Sequence, residues 1–348
     1  MSFLPRCMAT AIGSMPHADA KAAIDIVLDS IPDAPIWPQL PANGMNEQME
    51  VQYSEGLPDV VIDNEKQRIY FDTTDDTFAA LGAFMEKIAM DEVDAFAISP
   101  DYSRGIYAME VALKNCGSTR PFVKVQTTGP LSFGLTVVDQ DKRAIYYNDI
   151  YKDAIIKALT MKCRWQIRKF KPYAEKVICF IDEPILSAFG SSTYVSVSRD
   201  DVISALNEMI EAVHSEGALA GIHCCGNTEW SILIDAGVDI ISFDAFDFGD
   251  TIALYPDAVK KYLEDGKYLA WGIVPTNSEK VRSQSVESLV AKFDSVVDNL
   301  ASKSGLSREY IIERAFITPS CGTGSLPVDD AEMVFRLLSE TSKALQGR

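Results

Sequence analysis

The sequence predicts an α/β fold, a (β/α)8 TIM barrel built from the whole chain, residues 1–348, as one domain. Short apolar runs rich in β-branched residues alternate with longer amphipathic stretches, and such runs are typical of buried parallel strands. The chain length also suits one large barrel. Eight such runs occur, at 7–14, 95–100, 122–130, 176–184, 219–225, 238–246, 268–275 and 315–322.

Helical periodicity fills the intervals between these runs. In 198–214, Ser198 is a plausible N-cap with Asp201 three residues on, ahead of a clear apolar stripe. The other helical stripes occupy 151–172, 285–301 and 329–345. A two-domain doubly wound fold is the alternative, but it is less favoured because no glycine-rich phosphate loop follows the first run.

The stretch 31–75 departs from this alternation. It contains "APIWPQLPANGMNEQM" and the predicted hairpin "VVIDNEKQRIYF". We therefore expect an insertion between the first and second strands that covers the barrel mouth.

The net charge of the chain limits the classes of partner that we expect. A net charge of −18 and a pI of about 4.6 repel phosphate backbones and anionic lipid, so we expect neither nucleic acid nor a membrane as partner. No secretory signal is predicted, because the first residues lack a long apolar run. Seven cysteines without a disulfide-scaffold pattern predict free or metal-bound thiols in a reducing cytoplasm.

Chemically unusual residues fall where the predicted strands end. The carboxyl ends of barrel strands form one rim, and catalytic residues cluster there. The residues at these ends are Gly13-Ser14, Asp182-Glu183-Pro184, His223-Cys224-Cys225, Asp244 and Ser320-Cys321-Gly322. We therefore expect the active site at this rim.

A metal site is predicted from the fifth and eighth runs. Because side chains alternate along a strand, His223 and Cys225 point one way and Cys224 the other. Barrel closure would add Cys321. Imidazole and thiolate ligands suit zinc, and three protein ligands leave a position open, as in catalytic sites. Asp244 is a candidate fourth ligand. The competing interpretation is that these cysteines only pack the core.

Two adjacent carboxylates, Asp182 and Glu183, close a very apolar run. Burying them there is costly unless they are solvated or paired. A cationic substrate group such as an amine is a natural partner, so both are predicted to bind substrate. The alternative is that they cap the start of a helix.

Taken together, the strand-end motifs resemble the catalytic C-terminal barrel of cobalamin-independent methionine synthases. The likeness runs from about residue 10 to about residue 330. Its motifs are Ile12-Gly13-Ser14, Thr128-Gly129-Pro130, Ile181-Asp182-Glu183-Pro184, His223-Cys224-Cys225, Asp244 and Pro319-Ser320-Cys321-Gly322. The chain is similar to a stand-alone form without the family's N-terminal barrel. The barrel is also similar to the uroporphyrinogen decarboxylase superfamily, which includes zinc methyltransferases.

The resemblance implies a bound Zn2+. Its ligands would be His223, Cys225 and Cys321, with a carboxylate from the sixth strand. That carboxylate is glutamate in the family and Asp244 here, where the side chain is shorter.

The resemblance also implies the substrates. Backbone groups of Ile12 and Ser14 would bind the carboxylate of homocysteine, and Asp182 would hold its ammonium group. The methyl donor would be a methylated corrinoid, free or on a carrier protein, or methyltetrahydrofolate.

The predicted function is therefore zinc-dependent methyl transfer to a thiol. The favoured thiol is homocysteine, and its methylation gives methionine. The predicted catalytic residues are Asp182, His223, Cys225 and Cys321. Methyl transfer from a methylcobamide to another small thiol is one alternative. A metal-free decarboxylase of the uroporphyrinogen type is another, although it needs basic residues and only Arg104 falls near the mouth. A third is a non-catalytic zinc-holding or corrinoid-binding protein.

Overall fold

A curled sheet of parallel strands is the centre of the protein, in a computed structural model that describes residues 3–74, 78–191 and 196–348. The strands are β1 (Met8–Ala9), β2 (Val60–Asp63), β3 (Arg68–Phe71), β4 (Arg120–Thr128), β5 (Val138–Asp139), β6 (Ala174–Asp182), β7 (Leu219–Cys224), β8 (Ile240–Phe243), β9 (Tyr268–Val274) and β10 (Ala315–Pro319). Seven of them form the main sheet in the order β1-β10-β9-β8-β7-β6-β4, and β2, β3 and β5 form a small second sheet.

Helices connect successive strands of the main sheet, and one more helix follows the last strand. They are α1 (Ala20–Ser30), α2 (Met49–Ser54), α3 (Phe78–Ala89), α4 (Arg104–Cys116), α5 (Pro130–Thr136), α6 (Asp149–Phe170), α7 (Arg199–Ser215), α8 (Trp230–Asp235), α9 (Ala245–Phe248), α10 (Pro256–Glu264), α11 (Ser278–Arg282), α12 (Val286–Ser304), α13 (Arg308–Glu313) and α14 (Val328–Gln346). The predicted capping of α7 is confirmed, since Ser198 and Asp201 form a reciprocal capping box. Within the described residues, none of these helices is both long and apolar enough to cross a bilayer.

The predicted eight-stranded barrel is confirmed only in part. Seven of the eight predicted runs contain a strand of the main sheet, but 95–100 does not. Its first residues belong to a 3-10 helix, Val93–Phe96, in which Ala97 N donates to Asp94 O within the turn. The described residues thus form a sheet of seven parallel strands rather than eight.

The place next to β1 is taken by the irregular segment 33–39. Its backbone bonds to β4 through Phe122 N and Lys124 N, which donate to Asp33 O and Pro35 O. On its other side, Gln39 N donates to Gly13 O at 3.1 Å. Prolines lack the backbone N–H that a regular ladder needs, and 33–39 contains two of them. The segment therefore spans the gap between the two edge strands without forming a regular strand.

The stretch 31–75 is consequently not the separate insertion that we expected. Its first part spans the sheet gap, and its last part forms the β2–β3 hairpin, which is confirmed. Between them, two short 3-10 helices, Pro41–Asn43 and Met45–Glu47, lead into α2. Residue 75 lies outside the described residues.

The inward side of the main sheet changes from apolar to polar along the strands. Near the amino ends, Phe122, Ile178 and Phe316 belong to a buried apolar cluster. Because side chains alternate, the same face of β6 and β7 continues to Asp182 and His223, which are paired in register. The polar groups therefore gather at the carboxyl ends of the strands.

Candidate metal centre and cavity

A cavity of about 530 Å³ opens at the carboxyl ends of the strands. Its walls come from the ends of β6 and β7, from the loop after β10 and from the stretch 39–49. The lining residues are Ile12, Ser14, Gln39, Pro41, Ala42, Glu47, Gln48, Met49, Asp182, Pro184, His223, Cys225, Cys321, Gly322, Gly324 and Ser325. This is the size range of pockets that hold small-molecule ligands.

Three metal-ligating side chains meet at this cavity. One ligand atom from each of His223, Cys225 and Cys321 lies within 4.8 Å of the other two. His223 is on β7, Cys225 follows the end of that strand, and Cys321 follows β10. In the part of the chain that the structure describes, this is the group that could hold a metal ion, and Asp244 is not a member.

The imidazole of His223 is oriented as a metal ligand requires. Its Nδ1 lies 3.0 Å from Ser242 Oγ on the neighbouring strand, while its Nε2 is buried and has no hydrogen-bond partner among the described residues. Because Nδ1 contacts Ser242, Nε2 is the ring nitrogen left to bind a metal ion. Such a contact from the non-ligating nitrogen is the usual support of a metal-bound histidine. One free imidazole nitrogen and two sulfurs therefore fit a metal ion.

The thiols of Cys225 and Cys321 are close enough to change each other's pKa. The neighbouring Cys321 and His223 lower the pKa of Cys225. The same contact with Cys225, together with burial, raises the pKa of Cys321. A thiolate is the form that ligates metals, so Cys225 is prepared as the first sulfur ligand. Cys224 is buried and its Sγ points to Gly226 O instead, as the alternation predicts.

Asp182 lines the cavity as a buried acid. Its Oδ1 has no hydrogen-bond partner in the described part of the chain. Burial raises its pKa to about 6, against the opposing charges of Lys124 and His223. A cationic ligand would stabilise its charged form, which suits the predicted role in substrate binding.

Lys124, which sequence reasoning missed, lies in the barrel interior below Asp182. It is fully buried, donates to Ile12 O and Gln126 Oε1, and its Nζ lies 4.5 Å from the centre of the Phe180 ring. Burial lowers its pKa to about 8. A lysine in the middle of the apolar run "FVKVQTT" was the available signal.

The predicted carboxylate-binding residues Ile12 and Ser14 both line the cavity. Ser14 is held by the loop after β10: Thr323 N donates to Ser14 O at 2.8 Å and Gly324 N donates to Ser14 Oγ at 3.2 Å. A side chain at Gly322 would collide with Ser14 Oγ. The glycines after Cys321 therefore allow the close approach of this loop to Ser14.

Glu183 does not reach the cavity, in contrast to the prediction that it binds substrate. Its carboxylate accepts hydrogen bonds from Leu131 N at 2.9 Å and from Ser132 N and Oγ at 2.8 and 2.6 Å. These groups lie at the start of α5, so the helix-capping alternative describes the residue. The reason is strand alternation, since Asp182 faces inward and its neighbour faces the surrounding helices.

Asp244 also has a structural partner. It follows the end of β8 and caps α9, accepting a hydrogen bond from Asp247 N at 2.9 Å. Burial raises its pKa to about 6. In the described residues it neither lines the cavity nor joins the His/Cys/Cys group.

Comparison with known proteins identifies the fold. The sequence matches no model of a known family, and no curated protein matches it. Among solved structures, a methyltransferase from Methanosarcina mazei superposes with a TM-score of 0.57 at 14% identity, over 98% of this chain and 94% of that one. A likeness at this identity shows a shared fold across nearly the whole chain.

Proposed function

We propose that the protein is a zinc-dependent methyltransferase that methylates a thiol. The observation that carries the proposal is the His223, Cys225 and Cys321 group within 4.8 Å at the cavity wall. The fold supports it further, since a solved methyltransferase has the same fold over nearly its full length.

Zinc is the proposed metal because of the donor set. Two thiolates and one imidazole are borderline-soft ligands that suit zinc, and three protein ligands are the number found in catalytic sites with an open position. Bound there, zinc would supply a Lewis-acid centre at which a substrate thiol ionises near neutral pH.

The surrounding residues bind and orient the substrate. The side chain of Asp182 faces the cavity beside His223 and would accept an ammonium group. Ser14 and the backbone at Ile12 would hold a carboxylate, with Lys124 fixing the Ile12 carbonyl from below. Holding both charged ends directs the sulfur toward the ligand group, which lowers the entropy cost of reaction. An amino acid thiol, homocysteine, fits these contacts, and its product is methionine.

The methyl donor is proposed to be a methylcorrinoid, free or on a carrier protein, or methyltetrahydrofolate. Methyl transfer to a different small thiol uses the same groups and remains the second candidate. A decarboxylase for uroporphyrinogen is not favoured, because no lysine or arginine lines the cavity within the described residues.

The test compares Cys321→Ser with the matched variant Cys224→Ser, whose sulfur faces away from the group. We expect about one zinc per chain and homocysteine methylation in wild type and Cys224→Ser, and loss of both in Cys321→Ser. Elemental analysis and product detection with each donor provide the measurements. Stoichiometric zinc in Cys321→Ser would contradict the proposed site.

A further inference from the structure

A buried hydrogen-bond network orients the side-chain amide of Gln39 at the cavity wall. Its Nε2 donates to Gln52 Oε1 at 2.9 Å and to Tyr53 Oη at 3.4 Å. Gln52 Nε2 in turn donates to Tyr102 O, and Tyr53 Oη donates to Gln126 O, both at 2.7 Å. Because a backbone carbonyl only accepts, Gln52 presents its oxygen to Gln39, and the hydroxyl proton of Tyr53 points away from it. Both N–H groups of Gln39 are therefore turned into the network.

The Oε1 atom of Gln39 is consequently the part of the amide that is left for a ligand. In the described residues this oxygen has no hydrogen-bond partner, yet it is not among the fully buried unpartnered atoms, and Gln39 lines the cavity. A side chain at Gly13 would come within 2.7 Å of it. Gln39 N donates to Gly13 O at 3.1 Å, and Met15 N donates to Gln39 O at 2.8 Å. The oxygen is thus fixed beside the segment Ile12–Ser14.

An acceptor at this position limits the group that a substrate can place there. Asp182 Oδ1, the other unpartnered oxygen considered for the thiol substrate, is also an acceptor, and no lysine or arginine of the described residues lines the cavity. Such oxygens attract N–H groups and repel anions. In an α-amino acid the ammonium and the carboxylate are bonded to the same carbon. A carboxylate held at Ile12–Ser14 therefore brings its ammonium group to the neighbourhood of Gln39 Oε1.

We propose that Gln39 is a specificity-determining residue of the thiol site, whose Oε1 accepts a hydrogen bond from the amino group of the substrate. The inference rests on the proposed thiol methylation and decides between its two candidate substrates. It selects amino acid thiols over thiols that carry only a carboxylate or a sulfonate. A thiol without an amine would leave the oxygens of Gln39 and Asp182 unpaired, and a site built to bond an N–H group rejects the analogue that lacks it.

The experiment measures kcat/KM for homocysteine and for γ-mercaptobutyrate, which differs only by the missing amino group. We expect Gln39→Met to lower the value for homocysteine about tenfold or more and to change that for γ-mercaptobutyrate less than about threefold. Zinc content should stay at the wild-type level. Gln284→Met replaces a glutamine between α11 and α12, outside the cavity lining, and as the matched control should leave both values unchanged.

Gln52→Met tests the orientation of the amide rather than its presence. Gln52 does not line the cavity, and its loss removes an acceptor that holds Nε2 of Gln39. We expect the preference for homocysteine over γ-mercaptobutyrate to fall about threefold or more. An equal loss for both thiols in Gln39→Met, or an unchanged value for homocysteine, overturns the proposal. If Gln39→Met does not fold, an unchanged preference in Gln52→Met overturns it.

Failure of the proposed function would give a different result. If the wild type methylates neither thiol, methyl transfer to a thiol is wrong, and the role of Gln39 is decided by calorimetry on the metal-free protein. The ligands are methionine and γ-(methylthio)butyrate, its analogue without the amino group. Tighter binding of methionine in the wild type, with this preference lost in Gln39→Met, supports the role. Equal or absent binding in the wild type, or a preference that persists in Gln39→Met, rejects it.

Discussion

Ser242 Oγ lies 3.0 Å from His223 Nδ1, and both side chains extend from adjacent parallel strands whose register pairs these two residues. The sheet itself therefore sets the orientation of the imidazole. The residue that would bind the metal and the residue that orients it are direct neighbours across two hydrogen-bonded strands.

Ser242→Ala should weaken metal binding without unfolding the protein. Loss of this hydroxyl frees the imidazole to rotate or change tautomer, and loss of such a supporting contact typically costs about 10–100-fold in metal affinity. Competition with a chromophoric chelator measures the change. Ser304→Ala removes a buried hydroxyl that bonds Leu300 O, away from the cavity, and should leave the affinity unchanged.

Asp182→Asn should stabilise the metal-free protein above neutral pH. Folding raises the pKa of Asp182 from 3.8 to about 6, so the native state binds the proton more tightly and the wild type loses stability as the pH rises through this range. The difference corresponds to about 3 kcal/mol above the folded pKa and vanishes below the unfolded one.

Urea denaturation in chelator at pH 4 and pH 8 measures this prediction. A stability gain that is equal at both pH values would show that ionisation of Asp182 is not its cause. The same substitution should raise the KM of an aminothiol, since the amide cannot pair with an ammonium group.

Gly322→Ala should damage the thiol site through Ser14. The added methyl group collides with Ser14 Oγ and forces apart the two loops that Thr323 and Gly324 hold together. We expect the thiol KM to rise about tenfold or more, because a displacement of this kind misaligns the substrate. Gly82→Ala, in α3 with open space around the position, is the control and should leave the KM unchanged.

Glu183→Gln should reduce stability and leave zinc content intact. The carboxylate satisfies two backbone N–H groups and a hydroxyl at the start of α5, and an amide would oppose one of these donors with its own N–H. A loss of about 1–3 kcal/mol in the free energy of unfolding is expected. Glu175→Gln, at an exposed position of the same strand, should be neutral.

Sequence patterns predicted the regular parts of this fold and of its site. Apolar runs located seven strands of the main sheet, and their ends placed His223, Cys225 and Cys321 on one rim. The predicted eighth strand was wrong. Its place in the sheet is taken by 33–39, which bonds to β4 on one side and to Gly13 on the other. This segment contains prolines and lacks the periodicity of a strand, so its sequence is typical of a loop.

The remaining errors have local causes. Glu183 was assigned to the cavity although alternation along β6 turns it away from Asp182. Lys124 was missed because its significance depends on burial, which a single charged letter within an apolar run does not reveal.

The proline-containing segment 33–39 divides the rim into two halves that differ in how firmly hydrogen bonds hold their backbone. His223 and Asp182 belong to a continuous ladder of paired strands, where opening the backbone breaks many hydrogen bonds at once. Ser14 and the residues leading to Glu47 are joined to that ladder by a few separate bonds, so local opening costs less there. A ligand entering the cavity would thus contact one rigid side and one more flexible side. Amide hydrogen exchange should be faster along 36–48 than along β6 and β7.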